Sequence, residues 1–495
     1  MAIRTASQYI DSLRDDRAIH IDGERVRDVT TDRRFRGAVQ TVASLYEMQH
    51  DPRHQDVLTY VDENGERSNR SFQQMRTVDD LVQRSKANKL TMDAVHGMMG
   101  RAPDFLNVVV AGLAAASAVF DESANSRAFG ANVRKYCDYV RQNDLALTHV
   151  LVNPQVDRSK PLWAQAPGKD IALKVVRESD AGFYVSGCRQ VGTLAQMANE
   201  LLVMPSTVVP NAPEAADYSL GFAVPLGSAG VKMISRPTVV PQQVASLLDH
   251  PVSMRMDEGD ALMIFDNVFV PWERTFIYRD PELCNEIMTR TFAYAHATHQ
   301  AMVRTLSKAE FMCALVSELA RSTSVDSFPN VQNELADLFM YVELIEAAIF
   351  KSERAPVATP FGTVAPDTTV LHAIQINFHQ HFNKMVDAIR TIGGGPLVGV
   401  PSYAELSGEV GDLVNKYLVS GEMEAEQRIR LYRLASDVAM SDFSSRQQAY
   451  ERYYQGDPFR VRCGYFARYP KRQQFQQLIA KVMDSHVAFA RDSQV

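Results

Sequence analysis

Apolar positions along the chain change their period twice. From Gly37 to Asp144 they recur at helical spacing: Val39, Val42, Ala43, Tyr46 and Met48 form one broad stripe, and Leu81–Met99 is a second helical stretch. Pro103 followed by Asp104 ends one helix and opens the next, whose body is the apolar run Val108–Phe120. Between residues 146 and 275 the period shortens. Ile171, Leu173 and Val175 alternate with their neighbours, Phe183–Val185 follows the Asp180–Gly182 turn, and Tyr218–Val224 and Gly230–Ile234 continue the pattern. Turn residues at such short intervals predict a small antiparallel β-barrel. The second seam is the stretch 261–282, where a β-favouring run is stopped by Pro271, which has no N–H for a ladder. Beyond it Leu335, Leu338, Phe339, Val342, Ile345 and Ile349 mark one buried helical face, and the glycines of 391–402 predict a break between helices. The pattern therefore predicts an α+β chain in three parts: a mainly helical domain over 1–145, the β-barrel over 146–275, and a helical bundle over 276–495 whose apolar stripe is core or an oligomerisation surface. Ahead of the first stripe, Asp22-Gly23 predicts a tight hairpin turn.

Composition narrows the functional classes. An apolar content of 46%, a charged content of 22% and a net charge of -7 without long Lys/Arg runs point away from nucleic acid and from anionic membranes. The five cysteines, Cys137, Cys188, Cys284, Cys313 and Cys463, are widely spaced, which predicts reduced thiols in a cytoplasm rather than disulfides or a zinc site. The N-terminus has no apolar signal core, and Val108–Phe120 is shorter than the roughly 20 residues that span a bilayer. His296 and His299 share a helix face, but no further ligands stand at a metal spacing, so no metal is expected. Read alone, Arg101 is a helix-junction cap or ion pair as readily as a ligand contact, His149 is as readily a packed core side chain, and Thr193 a strand-end hydroxyl.

Five motifs in register change those readings: IDGERV-x-DVTT at Ile21–Thr31, GR-x-PD at Gly100–Asp104, H-x3-NP-x2-DR at His149–Arg158, GVK-x-ISR at Gly230–Arg236, and DNV-x-x-PWE at Asp266–Glu273. Together they resemble the large, flavin-using component of the two-component aromatic hydroxylases, the 4-hydroxyphenylacetate 3-monooxygenase type, from about residue 8 to residue 455. The resemblance implies an acyl-CoA dehydrogenase-like fold. It also implies FAD used as FADH2 from a separate NAD(P)H:flavin reductase, with molecular oxygen as co-substrate. The reaction would be hydroxylation of a phenol-like ring ortho to its hydroxyl through a C4a-hydroperoxyflavin, in a homotetramer built as a dimer of dimers. Arg101 and His149 would activate the substrate hydroxyl, with His296 as a further candidate ahead of His299. Phe105, Ser206 and Thr207 would complete the substrate pocket. Gln155, Val156, Asp157, Arg158, Thr193 and the small-residue turn Ser441, Asp442, Phe443 and Ser444 would hold the flavin.

Phe105 departs from the family's tyrosine and removes one donor, which counts against 4-hydroxyphenylacetate itself as substrate. Three rival readings carry less. A 4-hydroxybutyryl-CoA dehydratase needs cluster thiolates, and 97–107 contain no cysteine. An acyl-CoA dehydrogenase-like oxidase needs a carboxylate base and a CoA channel, for which the sequence has no convincing signal. A helical scaffold would have no use for Arg101, His149, Arg158 and Thr193 together.

Overall fold

The computed structural model describes residues 3–492 apart from 64, 124–126, 166–170, 206–208, 244–245 and 422. Helix and sheet alternate in the predicted order, with one exchange between them. Ten strands frame the site: β1 (Ala18–Ile21), β2 (Glu24–Arg25), β3 (Leu147–Val150), β4 (Lys174–Ser179), β5 (Gly182–Thr193), β6 (Glu200–Val203), β7 (Leu220–Pro225), β8 (Val231–Ser235), β9 (Asp260–Pro271) and β10 (Thr275–Tyr278). They form a six-stranded sheet in the order β2-β1-β8-β9-β5-β4 and a four-stranded sheet in the order β10-β7-β6-β3. Among the described residues the strands do not close into the barrel the alternation predicts. Two pairings are also parallel, β1 with β8 and β3 with β6. The hairpin formed by β1 and β2 buries Ile19 and Ile21 and docks on the sheet, so this first-part segment is structurally part of the β region. Pro271 does end β9, opposite Gly182 in the last pair of the ladder.

Six helices matter for the site: α1 (Val78–Ala94), α2 (Pro103–Ala115), α3 (Ala293–Ser322), α4 (Pro329–Arg354), α5 (Thr368–Gly399) and α6 (Asp442–Tyr453). Thr77 and Asp80 cap α1 reciprocally. Pro103 opens α2 at N1, and every residue from Pro103 to Ala114 is buried, as a helix apolar on all sides requires. Gly112 lets α2 approach α3 closely, since a Cβ there would lie 3.2 Å from the Cα of Ala293.

The glycine stretch breaks the helix as its pattern predicts: within α5 the backbone at Gly394, with φ of 52° and ψ of -144°, leaves the helical range and separates two helical pieces. One local expectation changes: the small-residue turn Ser441–Ser444 is the start of a helix. Ser441 is the N-cap of α6 and accepts the Ser444 N–H at 3.3 Å, which explains a serine at this position. On α4, Leu335, Leu338, Ile345 and Ile349 face the core, while Phe339 joins Met340, Leu344 and Phe350 on an exposed apolar face. The last helix, Arg472–Asp492, exposes Phe475, Leu478, Ile479, Val482 and Met483. No helix among the described residues is long and apolar enough to cross a membrane.

Candidate active site

The segment between α1 and α2 carries Arg101, held at three points. Its backbone N–H donates to Glu258 at 2.5 Å, and its Nη1 donates to the Tyr450 hydroxyl at 2.5 Å and to the Gly100 carbonyl at 3.0 Å. The guanidinium lies 4.2 Å from the centroid of Phe105, in the first turn of α2. Phe105 in turn stacks on His149 in β3, with ring centroids 5.9 Å apart. Arg101, Phe105 and His149 thus form one continuous contact chain, although 48 residues separate the first from the last.

His149 is the chemically poised member. The residue keeps some exposure, yet its Nδ1 is shielded from solvent and has no hydrogen-bond partner among the described residues. Burial, reinforced by the Arg101 charge, lowers its pKa well below the usual imidazole value, so the ring is neutral at neutral pH. A neutral imidazole with a free nitrogen can accept a proton. The acid limb of turnover, read as kcat/KM against pH, is therefore expected below pH 6.5, the ordinary histidine value. A limb at or above that value would show that a different group controls the reaction.

Beneath this chain lies a network of ion pairs. Glu258 also accepts Arg446 Nη1 at 3.0 Å. Asp260 accepts Arg446 at 2.9 and 3.1 Å, Arg236 at 2.8 Å and the Thr193 hydroxyl at 2.6 Å. Burial pushes the Asp260 carboxyl up, but the Arg446 charge outweighs it and, with Arg236, keeps the group ionised far below the usual carboxylate range. The Thr193 carbonyl accepts the hydroxyl of Thr148, the neighbour of His149, at 2.6 Å. This bond ties Thr193 to the strand that presents the histidine.

The remaining candidates lie in different settings. Gln155, Val156 and Arg158 are exposed, on a loop tethered to β5 by paired backbone bonds between Val152 and Gln190. Asp157 caps that loop by accepting the Ser159 N–H at 3.0 Å. Ser441 and Asp442 start α6, whereas Phe443 and Ser444 are buried against its neighbours. Ser206 and Thr207 lie outside the described residues, just beyond β6, which pairs with the strand of His149.

His296 is not in the Arg101 contact chain. Its Nδ1 meets Arg84 of α1 at 2.7 Å, and its ring packs on Gly112, two helical turns along α2 from Phe105. His299 pairs with Glu353 at 2.9 Å. No group of three or more potential metal ligands occurs among the described residues.

Four side chains central to this geometry were not singled out as site residues by the sequence: Glu258, Asp260, Arg446 and Tyr450. Asp257 and Glu258 precede the DNV motif and Arg446 follows the serine turn, but nothing in the spacing joins them. Tyr450 stands 349 residues from the arginine it contacts.

A half-exposed cation over an aromatic ring, beside a neutral, half-buried histidine, is an arrangement compatible with a small aromatic ligand that carries an acidic hydroxyl. The chain belongs to the 4-hydroxyphenylacetate 3-hydroxylase family, matching its N-terminal domain over residues 5–277 and its C-terminal domain over 284–483. It is 36% identical to the 4-hydroxyphenylacetate 3-monooxygenase oxygenase component of Thermus thermophilus, over 98% of both chains. It is 32% identical to the pyoverdin chromophore biosynthetic protein PvcC of Pseudomonas aeruginosa, over 93% of this chain and 91% of that one. A crystal structure of a 4-hydroxyphenylacetate 3-monooxygenase oxygenase component complexed with FAD and 4-hydroxyphenylacetate superposes with a TM-score of 0.92. That alignment is 36% identical and covers 98% of this chain and all of the other. A 4-hydroxybutyryl-CoA dehydratase from N. maritimus, 20% identical with a TM-score of 0.86 over 97% and 95% of the two chains, shares the fold.

Proposed function

We infer that this protein is the oxygenase component of a two-component, FADH2-dependent monooxygenase that hydroxylates a phenol-like aromatic substrate. The contact chain Arg101–Phe105–His149, in a chain that the family matches over 5–277 and 284–483, carries the reading. His149 accepts the phenolic proton at its Nδ1, which has no partner among the described residues, and the Arg101 guanidinium balances the phenolate charge that remains. The electron-rich ring is then activated at the carbon ortho to the oxygen. Phe105 flanks the ring.

The donor set fits a flavin. The exposed Arg158 guanidinium suits a pyrophosphate, backbone and side-chain groups of Gln155, Val156 and Asp157 line the same loop, and Thr193 offers a hydroxyl oxygen near β3. The first turn of α6, Ser441, Asp442, Phe443 and Ser444, supplies helix N-terminal N–H groups. Reduced flavin and molecular oxygen together supply the electrophilic oxygen atom. The contacts of His296 with Arg84 and Gly112 favour helix packing over proton transfer for that residue.

The helix–sheet–helix order supports an acyl-CoA dehydrogenase-like fold. The exposed apolar faces of α4 and of the last helix support a tetramer, a dimer of dimers. Five unpaired cysteines support a cytoplasmic setting, with FADH2 delivered by a separate reductase. Phe105 leaves a less polar pocket wall than a tyrosine would, which favours phenols other than 4-hydroxyphenylacetate. The relatives' names widen the choice: one from Streptomyces globisporus acts on a carrier-protein-bound amino acid with a chlorohydroxyphenyl ring, and one from Rhodococcus is a 4-nitrophenol 2-monooxygenase.

The test is to supply FADH2 from an unrelated flavin reductase and assay a panel of free and carrier-bound phenols for oxygen-dependent hydroxylation. An ortho-hydroxylated product from at least one phenol is expected. Hydrogen peroxide as the sole product across the panel would sink the reading.

A further inference from the structure

We propose that Tyr450 is the positioning residue that holds the Arg101 guanidinium against the Phe105 ring. Among the described residues its hydroxyl is the one side-chain acceptor of the Arg101 guanidinium, at 2.5 Å, the guanidinium's other bond going to the Gly100 carbonyl at 3.0 Å. Glu258, the nearby carboxylate, is occupied by the Arg101 backbone N–H and by the Arg446 guanidinium. That division has a chemical consequence. A carboxylate on the Arg101 guanidinium would neutralise it, whereas a phenol orients it and leaves its charge for the ligand.

The surroundings are built to fix the tyrosine. Gly100 gives the hydroxyl room, since a Cβ at that position would lie 2.0 Å from it. The ring stacks on Tyr454 with centroids 5.2 Å apart and nearly parallel planes, and the Arg446 and Arg304 guanidiniums lie 4.9 and 5.4 Å from its centroid. The same helix grips the Arg101 segment at two further points. Gln447 donates to the Met98 carbonyl at 2.9 Å, and Glu451 anchors Arg304, which donates to the Gly97 carbonyl at 3.3 Å. One face of α6 therefore sets the backbone of 97–101 while Tyr450 sets its side chain.

The catalytic meaning of this contact rests on the role of Arg101 given above, so the experiment separates the two. In Tyr450→Phe the ring and its stacking remain and only the hydroxyl is lost. Peptide mapping after phenylglyoxal treatment is expected to show Arg101 modified about tenfold faster than in the parent, the factor that one hydrogen bond to a charged group of about 1.4 kcal/mol would supply. The thermal midpoint should be unchanged. For any phenol the parent turns over, KM should rise by about the same factor with a smaller change in kcat. Gly100→Ala, which pushes the hydroxyl away from the other side, should release Arg101 in the same way and serves if Tyr450→Phe does not fold. Unaltered Arg101 reactivity in the folded variant overturns the proposal. If the parent hydroxylates no phenol, the functional reading fails while the Arg101 reactivity still decides the role of Tyr450.

Discussion

Replacing His149 by alanine is expected to lower hydroxylated product per flavin oxidised by roughly 10²–10⁴-fold, the usual contribution of a placed general base. The effect should be this large because no other described residue of the contact chain can take its place. Arg101 carries a charge but cannot accept a proton, Phe105 has no polar atom, and the Tyr450 hydroxyl is engaged by Arg101. Of the buried carboxylates nearby, Glu258 is committed to Arg446, Asp260 to Arg446 and Arg236, and Asp104 to the Gln300 amide at 2.8 Å. Flavin affinity should survive, since the residues assigned to the flavin lie at Gln155–Arg158, Thr193 and the start of α6. Consumption of FADH2 by oxygen should therefore continue, now yielding hydrogen peroxide. Product analysis after single turnover, beside a flavin-binding titration, separates the two effects. A product yield equal to the parent's would remove His149 from the mechanism, and a joint loss of flavin binding would show a folding defect instead.

Local chemistry in the sequence proved more legible than long-range pairing. The Asp22-Gly23 turn identifies a hairpin, and the alternation at Gly230–Ile234 identifies a strand, but neither says that β1 and β8 lie side by side and parallel. Alternation reports that one face is buried and leaves closure undetermined, which is why a barrel was expected where two sheets occur. Ser441–Ser444 read as a small-residue turn, although a serine ahead of Asp-Phe-Ser also fits an N-cap, and the structure uses it so. The helix stripe on α4 was over-extended by Phe339, because a face that serves another surface is as apolar as one that serves the core. The motif around Arg101 and the one around His149 were visible separately, but their contact through Phe105 was not. Glu258 was visible only as a residue just upstream of the DNV motif, and Asp260 and Tyr450 lacked even that signal, since single polar side chains carry no periodicity.

The stability of the helical part should depend most sharply on one carboxylate, and Glu451→Gln is expected to cost about 3–5 kcal/mol. Glu451 is 2% exposed and accepts from Arg304 and Lys308 at 2.5 Å each, joining α6 to α3. Burial pushes its carboxyl up, but the two cations hold it down at about 2. Burial also pushes Lys308 down to about 8, while Glu451 keeps Arg304 charged. Removing the only negative charge of this triad leaves two buried cations, and Lys308 can relieve the cost by losing its proton whereas Arg304 cannot. The sign with pH follows. A carboxyl depressed from 4.5 to about 2 contributes fully above pH 4.5, and that contribution is lost as the pH falls towards 2. The gap in urea midpoint between parent and Glu451→Gln should therefore be wide at pH 7 and shrink below pH 4.5. Adding Lys308→Met to the variant should recover part of the loss, because one of the stranded charges is then gone. A gap that stays constant down to pH 2 would mean that Glu451 acts through shape rather than charge. Because Arg304 also supports the Gly97 carbonyl beneath the Arg101 segment, the same substitution should weaken turnover before the fold gives way.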